Sequence, residues 1–264
     1  MSGILQITAD HLKRTVLATR GFALCGRKWL MPWLTYALSP ALSRMQPKRR
    51  IAFEQFSARL GECDLYTYAN VFEDYRVSLL ERALEEVELV IDAGANVGAF
   101  SWLVLTVAQK NGANPHLIAV EPDASNVRFL SAQPFADRIE IVEGALGARD
   151  GHGRFVTGAN SVTHTVDILA DENGADDKSA SLRVYGLGGL CAGKSSLLKM
   201  DIEGGEHEVL AVPLPPSVRY MFLEWHPKAG HADHPQSRIE GGRWHLLSQD
   251  LWGSSCWFWE ADKI

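Results

Sequence analysis

Residues 88–98 limit the folds open to this 264-residue chain more than any other stretch. The run Val90-Ile91-Asp92-Ala93-Gly94-Ala95-Asn96-Val97-Gly98 delivers an acid from an apolar, branched segment into a glycine-spaced loop. Branched residues on both faces describe a strand covered on both sides. A tight glycine turn between such a strand and a helix lets a ligand approach the backbone at the strand's carboxyl end. The spacing is G-x-N-x-G, not the G-x-G-x-x-G of dinucleotide binders, and an acid ahead of the glycines would repel a pyrophosphate. Asp92 instead suits a ligand bearing an ammonium or sulfonium charge.

The same alternation continues along the chain. Strands are expected at Glu88–Ala93, Leu117–Glu121, Ile139–Val142, Leu197–Asp201 and Tyr220–Trp225. Helices are expected at Leu79–Glu88, Phe100–Lys110, Asp123–Ala132 (capped by Asp123 or Ser125) and Glu206–Ala211. Apolar strands alternating with helices predict an α/β fold built on a doubly wound, parallel, Rossmann-like sheet. Arg243–Ser248 and Cys256–Glu260 lie too close together for a helical crossover, so they should form an antiparallel hairpin on the sheet edge. Gly158–Ser195 reads as irregular, with one strand candidate at Ser181–Gly186.

Charge divides the chain in two. Residues 1–50 hold nine basic residues and one acid, Asp10, although the whole carries a net charge of −6. This segment reads as a helical extension, with helices at 3–20 and 22–38, and residues 51–264 as the main domain. An acidic main domain repels a phosphate backbone, so nucleic acid is not an expected partner. The stretch Trp29–Ser43 is uncharged but broken by Pro32 and Pro40 and too short to span a bilayer. Arg27 and Lys28 beside Trp29, Trp33 and Tyr36 could rest on a membrane surface; a cap packed on the main domain is the expected arrangement. The four cysteines form no C-x-x-C pair, and the first fifteen residues do not read as a signal peptide, so a cytoplasmic protein with free thiols is expected.

Glu121 ends the second strand, where a carboxylate can accept two hydrogen bonds from a ribose diol. With the glycine loop, it points to an adenosyl ligand. At this point the chain resembles the FkbM family of S-adenosylmethionine-dependent methyltransferases. The resemblance rests on IDAGANVG (91–98), EPDASN (121–126), GALGARDG (144–151), KMDIEGGE (199–206) and LEWH (223–226), in the family's order, from about Leu89 to Trp225. It implies a seven-stranded methyltransferase sheet and S-adenosylmethionine bound by Asp92, Gly94, Asn96, Gly98 and Glu121, with Ala145 beside the adenine. It also implies a sugar, glycan or secondary-metabolite hydroxyl as acceptor. Gln133 stands where the family usually has asparagine, and Gly205 where alanine is more common.

Asp201 and Glu203 leave one strand two residues apart and so face one side; Glu224 and His226 repeat the spacing on the next strand. Methyl transfer to a hydroxyl needs in-line positioning and removal of a proton. His226 is the natural base from its reference pKa, with Asp201, Glu203 or Glu224 orienting it or the substrate. The expected site carries no metal, although the same oxygens and ring nitrogen would suffice for Mg²⁺ or Ca²⁺. Two other functions compete. Gly188–Ser195 satisfies G-x-x-x-x-G-K-S, so Lys194 could serve a nucleotide-phosphate enzyme, but the residues that should open its helix read as strand. A non-catalytic cofactor-binding module would keep the loop and have no need of His226.

Overall fold

The computed structural model describes residues 11–16, 18–45, 49–156, 165–168, 181–227, 234–249 and 254–262. The elements in chain order are α1 (Gly21–Cys25), α2 (Leu30–Met45), β1 (Arg50–Ala52), β2 (Ser57–Arg59), α3 (Asp64–Asp74), α4 (Val77–Leu84), β3 (Leu89–Ala93) and α5 (Ala99–Asn111). They continue with β4 (His116–Glu121), α6 (Ala124–Leu130), β5 (Glu140–Glu143), β6 (Ala145–Gly147), β7 (Gly151–Val156), β8 (Thr165–Ile168), β9 (Ser181–Gly186) and α7 (Leu187–Cys191). The last are β10 (Ser196–Met200), α8 (Glu206–Val209), β11 (Val218–Trp225), β12 (Gly242–Gln249) and β13 (Ser255–Ala261).

The main sheet has seven strands in the order β12-β13-β11-β10-β3-β4-β5. β3, β4, β5, β10 and β11 run parallel, and β13 is antiparallel to both β11 and β12. The edge hairpin therefore forms as the sequence indicated, with its second strand inserted against β11. The two faces alternate with period two. Val90, Ala119, Leu197 and Phe222 enter one core with the helix residues Trp102 and Leu103, while Ile91, Ile118, Leu198 and Met221 enter the other with Leu187 and Val209. Full coverage on both sides is why β3 and β10 are buried at every position.

From β3 the chain builds outward through β4 and β5, then returns to β10 on the other side of β3. The strand order thus reverses between β3 and β10, the place where open α/β sheets bind ligands at their carboxyl ends. A second sheet, β6-β9-β7-β8, grows out after β5. Only the β9 strand of it was foreseen; of the stretch read as irregular, 158–164 and 169–180 lie outside the described residues.

Two further elements escape the sequence pattern. The β1–β2 hairpin pairs Arg50 with Arg59. The helix α3 has the sequence DLYTYANVFED, rich in residues of modest helix propensity, and owes its form to packing. Its Tyr68, Val71 and Phe72 are buried in the main core.

The basic amino-terminal segment joins that same core. Trp29 is buried, stacks on Trp102 at 5.5 Å between ring centroids, and donates from Nε1 to the Ala18 carbonyl at 2.7 Å. Gly21 faces the indole so closely that a Cβ there would lie 2.5 Å from it. The segment is thereby pinned by one large aromatic anchor. Trp29→Ala should cost about 3–5 kcal/mol, the usual range for emptying a buried tryptophan site. Urea unfolding of the two proteins checks this; a loss below about 1 kcal/mol would mean the anchor is dispensable.

Candidate active site

The cofactor-type loop stands on hydrogen bonds to the neighbouring strand. Gly94 and Ala95 both donate their amides to the Val120 carbonyl, at 3.0 and 3.1 Å. Gly94 has φ +72°, and a Cβ there would lie 1.8 Å from the Asp201 carbonyl oxygen. Only glycine lets β3's loop pass against the end of β10. Asn96 takes φ 51° and donates its amide to Glu121 Oε2 at 2.7 Å. Its side-chain Oδ1 is buried with no hydrogen-bond partner among the described residues.

Glu121 is buried and also accepts from the Asp123 amide at 3.1 Å and from Asn126 Nδ2 at 3.3 Å. Burial pushes its carboxyl up to about 7, against the bonds from Asn96, Asp123 and Asn126 and the charge of Lys199. Gln133 reaches the loop from behind, donating from Nε2 to the carbonyls of Val97 and Ser57, both at 3.1 Å, while its Oε1 accepts from the Ser57 amide. The glutamine at this position thus ties β2 to the loop. Asp123 caps α6, accepting from the Ser125 amide at 2.7 Å.

Two residues assigned to the cofactor from sequence sit away from the cavity. Asp92 is fully buried beneath the loop, where its carboxylate accepts from the amide and hydroxyl of Ser101 at 3.1 and 2.7 Å and lies 3.3 Å from Lys199 Nζ. Gly98 opens α5 at φ +85°, and a Cβ there would strike Leu130 and Phe135 at 2.5 and 2.9 Å. Its lack of a side chain serves helix packing.

Lys199, to which the sequence reading gave no role, holds the centre. Its buried ammonium donates to the carbonyls of Ala93 at 3.1 Å and Gly94 at 2.7 Å and lies 3.7 Å from Asp201. Burial lowers its pKa, but Asp92 and Asp201 outweigh that and leave it raised. A lone cation within the otherwise apolar strand SLLKM was the available signal.

Asp201, Glu203, Glu224 and His226 do converge. His226 Nε2 lies 3.6 Å from Glu203 and 3.7 Å from Glu224. Its Nδ1 is 3.1 Å from Glu206, a fully buried acid that also accepts from the Ile202 amide at 2.9 Å. His207 Nε2 is 2.8 Å from the His226 carbonyl and so holds the backbone as well. For His226, burial pulls the pKa down, but the Glu206 bond and the charges of Glu206, Asp201 and Glu224 push it up to about 10. These acids favour the protonated ring, whereas a free base needs a ring that has lost its proton. Glu203, at φ 54°, is pushed up to about 7 by burial, with His226 acting against the rise and Asp201 and Glu206 adding to it. Burial and then Asp201 raise Glu224 well above the carboxylate range. Asp201, Glu203 and His226 offer ligand atoms within 4.8 Å of one another, so these three could hold a divalent ion.

One cavity of about 470 Å³ is lined by Gly94, Asn96, Glu121, Ala145, Lys199 and the four converging groups, together with Tyr66, Asn70 and Asp74 of α3. The model of the FkbM methyltransferase domain matches residues 92–235. The chain belongs to the FkbM methyltransferase family. No curated protein matches it. Among solved structures it is similar to PH1948 from Pyrococcus horikoshii, at 12% identity and TM-score 0.35 over 86% of this chain and 97% of that one. It is also similar to the N-terminal domain of human METTL16 in complex with SAH, at 15% identity and TM-score 0.35 over 87% of this chain and 82% of that one.

As an FkbM-family enzyme, the protein is an S-adenosylmethionine-dependent methyltransferase. The residues fit that cofactor: Asn96, whose buried Oδ1 has no hydrogen-bond partner among the described residues, lines one cavity with Gly94 and Glu121. The rival phosphate loop fails on geometry. α7 ends at Cys191, Lys194 sits in a turn, and the chain enters β10 at Ser196, so no helix follows the G-K-S residues to hold a phosphate. No helix among the described residues is long and apolar enough to cross a membrane.

Gly94→Ala tests the cradle. The methyl group would meet a backbone oxygen that cannot swing aside, at a φ that costs a side chain about 1–3 kcal/mol. The variant should melt lower and bind S-adenosylmethionine at least about tenfold more weakly by calorimetry. Unchanged melting and affinity would contradict the close approach of β3 and β10.

Proposed function

We propose that the enzyme methylates a hydroxyl of a small molecule or glycan. Gly94, Asn96, Glu121 and Ala145 hold the cofactor, and Asp201, Glu203, Glu224 and His226 hold the acceptor. The observation that carries this reading is that all eight residues line one cavity. Carboxylates are acceptors for several hydroxyl protons at once, which suits a neutral polyhydroxy molecule. The acidic balance of residues 51–264 repels a phosphate backbone, which weighs against a polynucleotide acceptor.

When bound, S-adenosylmethionine supplies a methyl group activated on a sulfonium sulfur. Transfer of that group to a hydroxyl would release the hydroxyl proton, which the protein's own side chains would take up. Positioning in line is the larger part of the task, and four converging side chains on two adjacent strand ends provide it. Glu203 suits the proton acceptor's role, since a base works best with a pKa near the operating pH, here about 7. His226, written in the sequence reading as the base, becomes the cation that holds Glu203 ionised and hydrogen-bonds the acceptor. The other charged groups around Glu203 are Asp201, Glu206, Glu224 and Lys199.

A second reading has a specific observation behind it. The Asp201–Glu203–His226 geometry suits a divalent ion, which would bind the hydroxyl and lower its pKa itself.

An acceptor screen with labelled cofactor against sugars, polyketides, lipid-linked saccharides and RNA tests the function directly. Label on a hydroxyl of one of the first three is the expected result; label on RNA alone would overturn it. On that acceptor, turnover should rise with pH through about 7 and then level, because Glu203 must lose its proton to act. His226→Gln removes the charge that keeps Glu203 low, so the rise should move to higher pH. Glu203→Gln should keep cofactor affinity and lose on the order of a hundredfold in turnover. Activity abolished by chelator and restored by Mg²⁺ would transfer the role to the metal.

A further inference from the structure

Exposed apolar side chains on this protein are concentrated in one place. Among the described residues, nine large hydrophobic side chains are exposed, and seven of them lie between Leu12 and Met45. Five form a stripe along α2: Leu30, Met31, Leu34, Leu38 and Met45 are between 37% and 76% exposed. The opposite face of the same helix is already spent on the core, where Pro32, Thr35 and Tyr36 are buried. From Leu30 to Ser43 the sequence contains fourteen residues and no charge. A helix that packs one face on a core ordinarily carries charged or polar residues on the other. This one is apolar on both sides, so folding alone does not account for its outer face.

Charge at the ends of the stripe indicates the partner. Arg27 and Arg44 flank it, both exposed. Lys28 also lies at that end, paired with Glu54 at 2.5 Å. Residues 1–50 hold nine basic residues against one acid in a chain whose net charge is −6. A second copy docking stripe to stripe would bring like charges together. An anionic lipid surface meets both needs, taking the apolar side chains below its headgroups and the basic ones among them. At sixteen residues α2 is long enough to lie in the interface and too short to cross the bilayer.

We propose that the outer face of α2, with Arg27 and Arg44 at its ends, docks the enzyme onto anionic membrane surfaces. The docked segment touches the active-site wall. Arg14 donates to Asn70 Oδ1 and lies over the Tyr66 ring, and both residues line the cavity. Docking therefore sets the cavity beside molecules carried on the lipid surface. The proposal is independent of which hydroxyl is methylated.

The test uses the intact chain and co-sedimentation with vesicles of phosphatidylcholine, alone or mixed roughly two to one with phosphatidylglycerol. The wild type should bind the anionic vesicles, bind neutral ones far less, and release as salt is raised to about 0.5 M. Met31→Glu with Leu38→Glu, the two most exposed positions in mid-stripe, should lower binding at least about tenfold with unchanged melting. Arg27→Glu with Arg44→Glu leaves the stripe intact and should remove the preference for anionic lipid. No binding at low salt, or binding that the Met31/Leu38 pair leaves unaltered in a folded protein, would overturn the proposal. So would a dimer in solution that the same pair dissociates while vesicle binding is absent, since the face would then belong to a second copy.

Discussion

A single buried ammonium organises this enzyme. Lys199 projects from β10 towards Asp92 of β3 and reaches the two carbonyls that begin the glycine loop. A cation removed from water in this way is tolerable only when paired and hydrogen-bonded, and here two acids and two carbonyl oxygens surround it. The pairing crosses the sheet where strand order reverses. The glycine loop and the cluster that begins at Asp201 are consequently one electrostatic unit that shares the Lys199 cation.

That arrangement explains why some features were legible in the sequence and others depend on the three-dimensional surroundings. The strands announced themselves through runs such as LVIDA and HLIAVE, which are apolar on both faces because helices cover both. The glycine loop, the Asp123 cap and the edge hairpin were equally readable, since each rests on local backbone chemistry. Asp92 and Gly98 lie in the right motif, but their side-chain environments depend on Lys199, Ser101, Leu130 and Phe135, which are distant or unremarked in sequence. His226 was read with its reference pKa. Only in three dimensions does Glu206 approach its Nδ1 and raise its pKa.

Elements that escaped notice share another trait. The β1–β2 hairpin, α3 and most of the second sheet have weak intrinsic signals and exist because something packs against them. α3 is the clearest case: poor propensity, yet Tyr68 stacks on Phe56 at 3.8 Å and donates to the Val97 carbonyl at 3.2 Å. It carries the core to the cofactor loop and places Asn70 and Asp74 on the cavity wall. The same helix receives the amino-terminal segment, so the basic extension and the active site meet through one element.

Lys199→Met, alone and combined with Asp92→Asn, tests the shared counterion most directly. Removing one partner of a buried pair leaves an uncompensated charge and typically costs about 3–5 kcal/mol, whereas neutralising both can cost little. The single variant should therefore be strongly destabilised in denaturant unfolding and bind S-adenosylmethionine poorly. The double variant should regain most of the stability, yet still bind the cofactor weakly, because the Gly94 carbonyl has lost the ammonium that holds it. A Lys199→Met protein as stable as the wild type, with full cofactor affinity, would contradict the account.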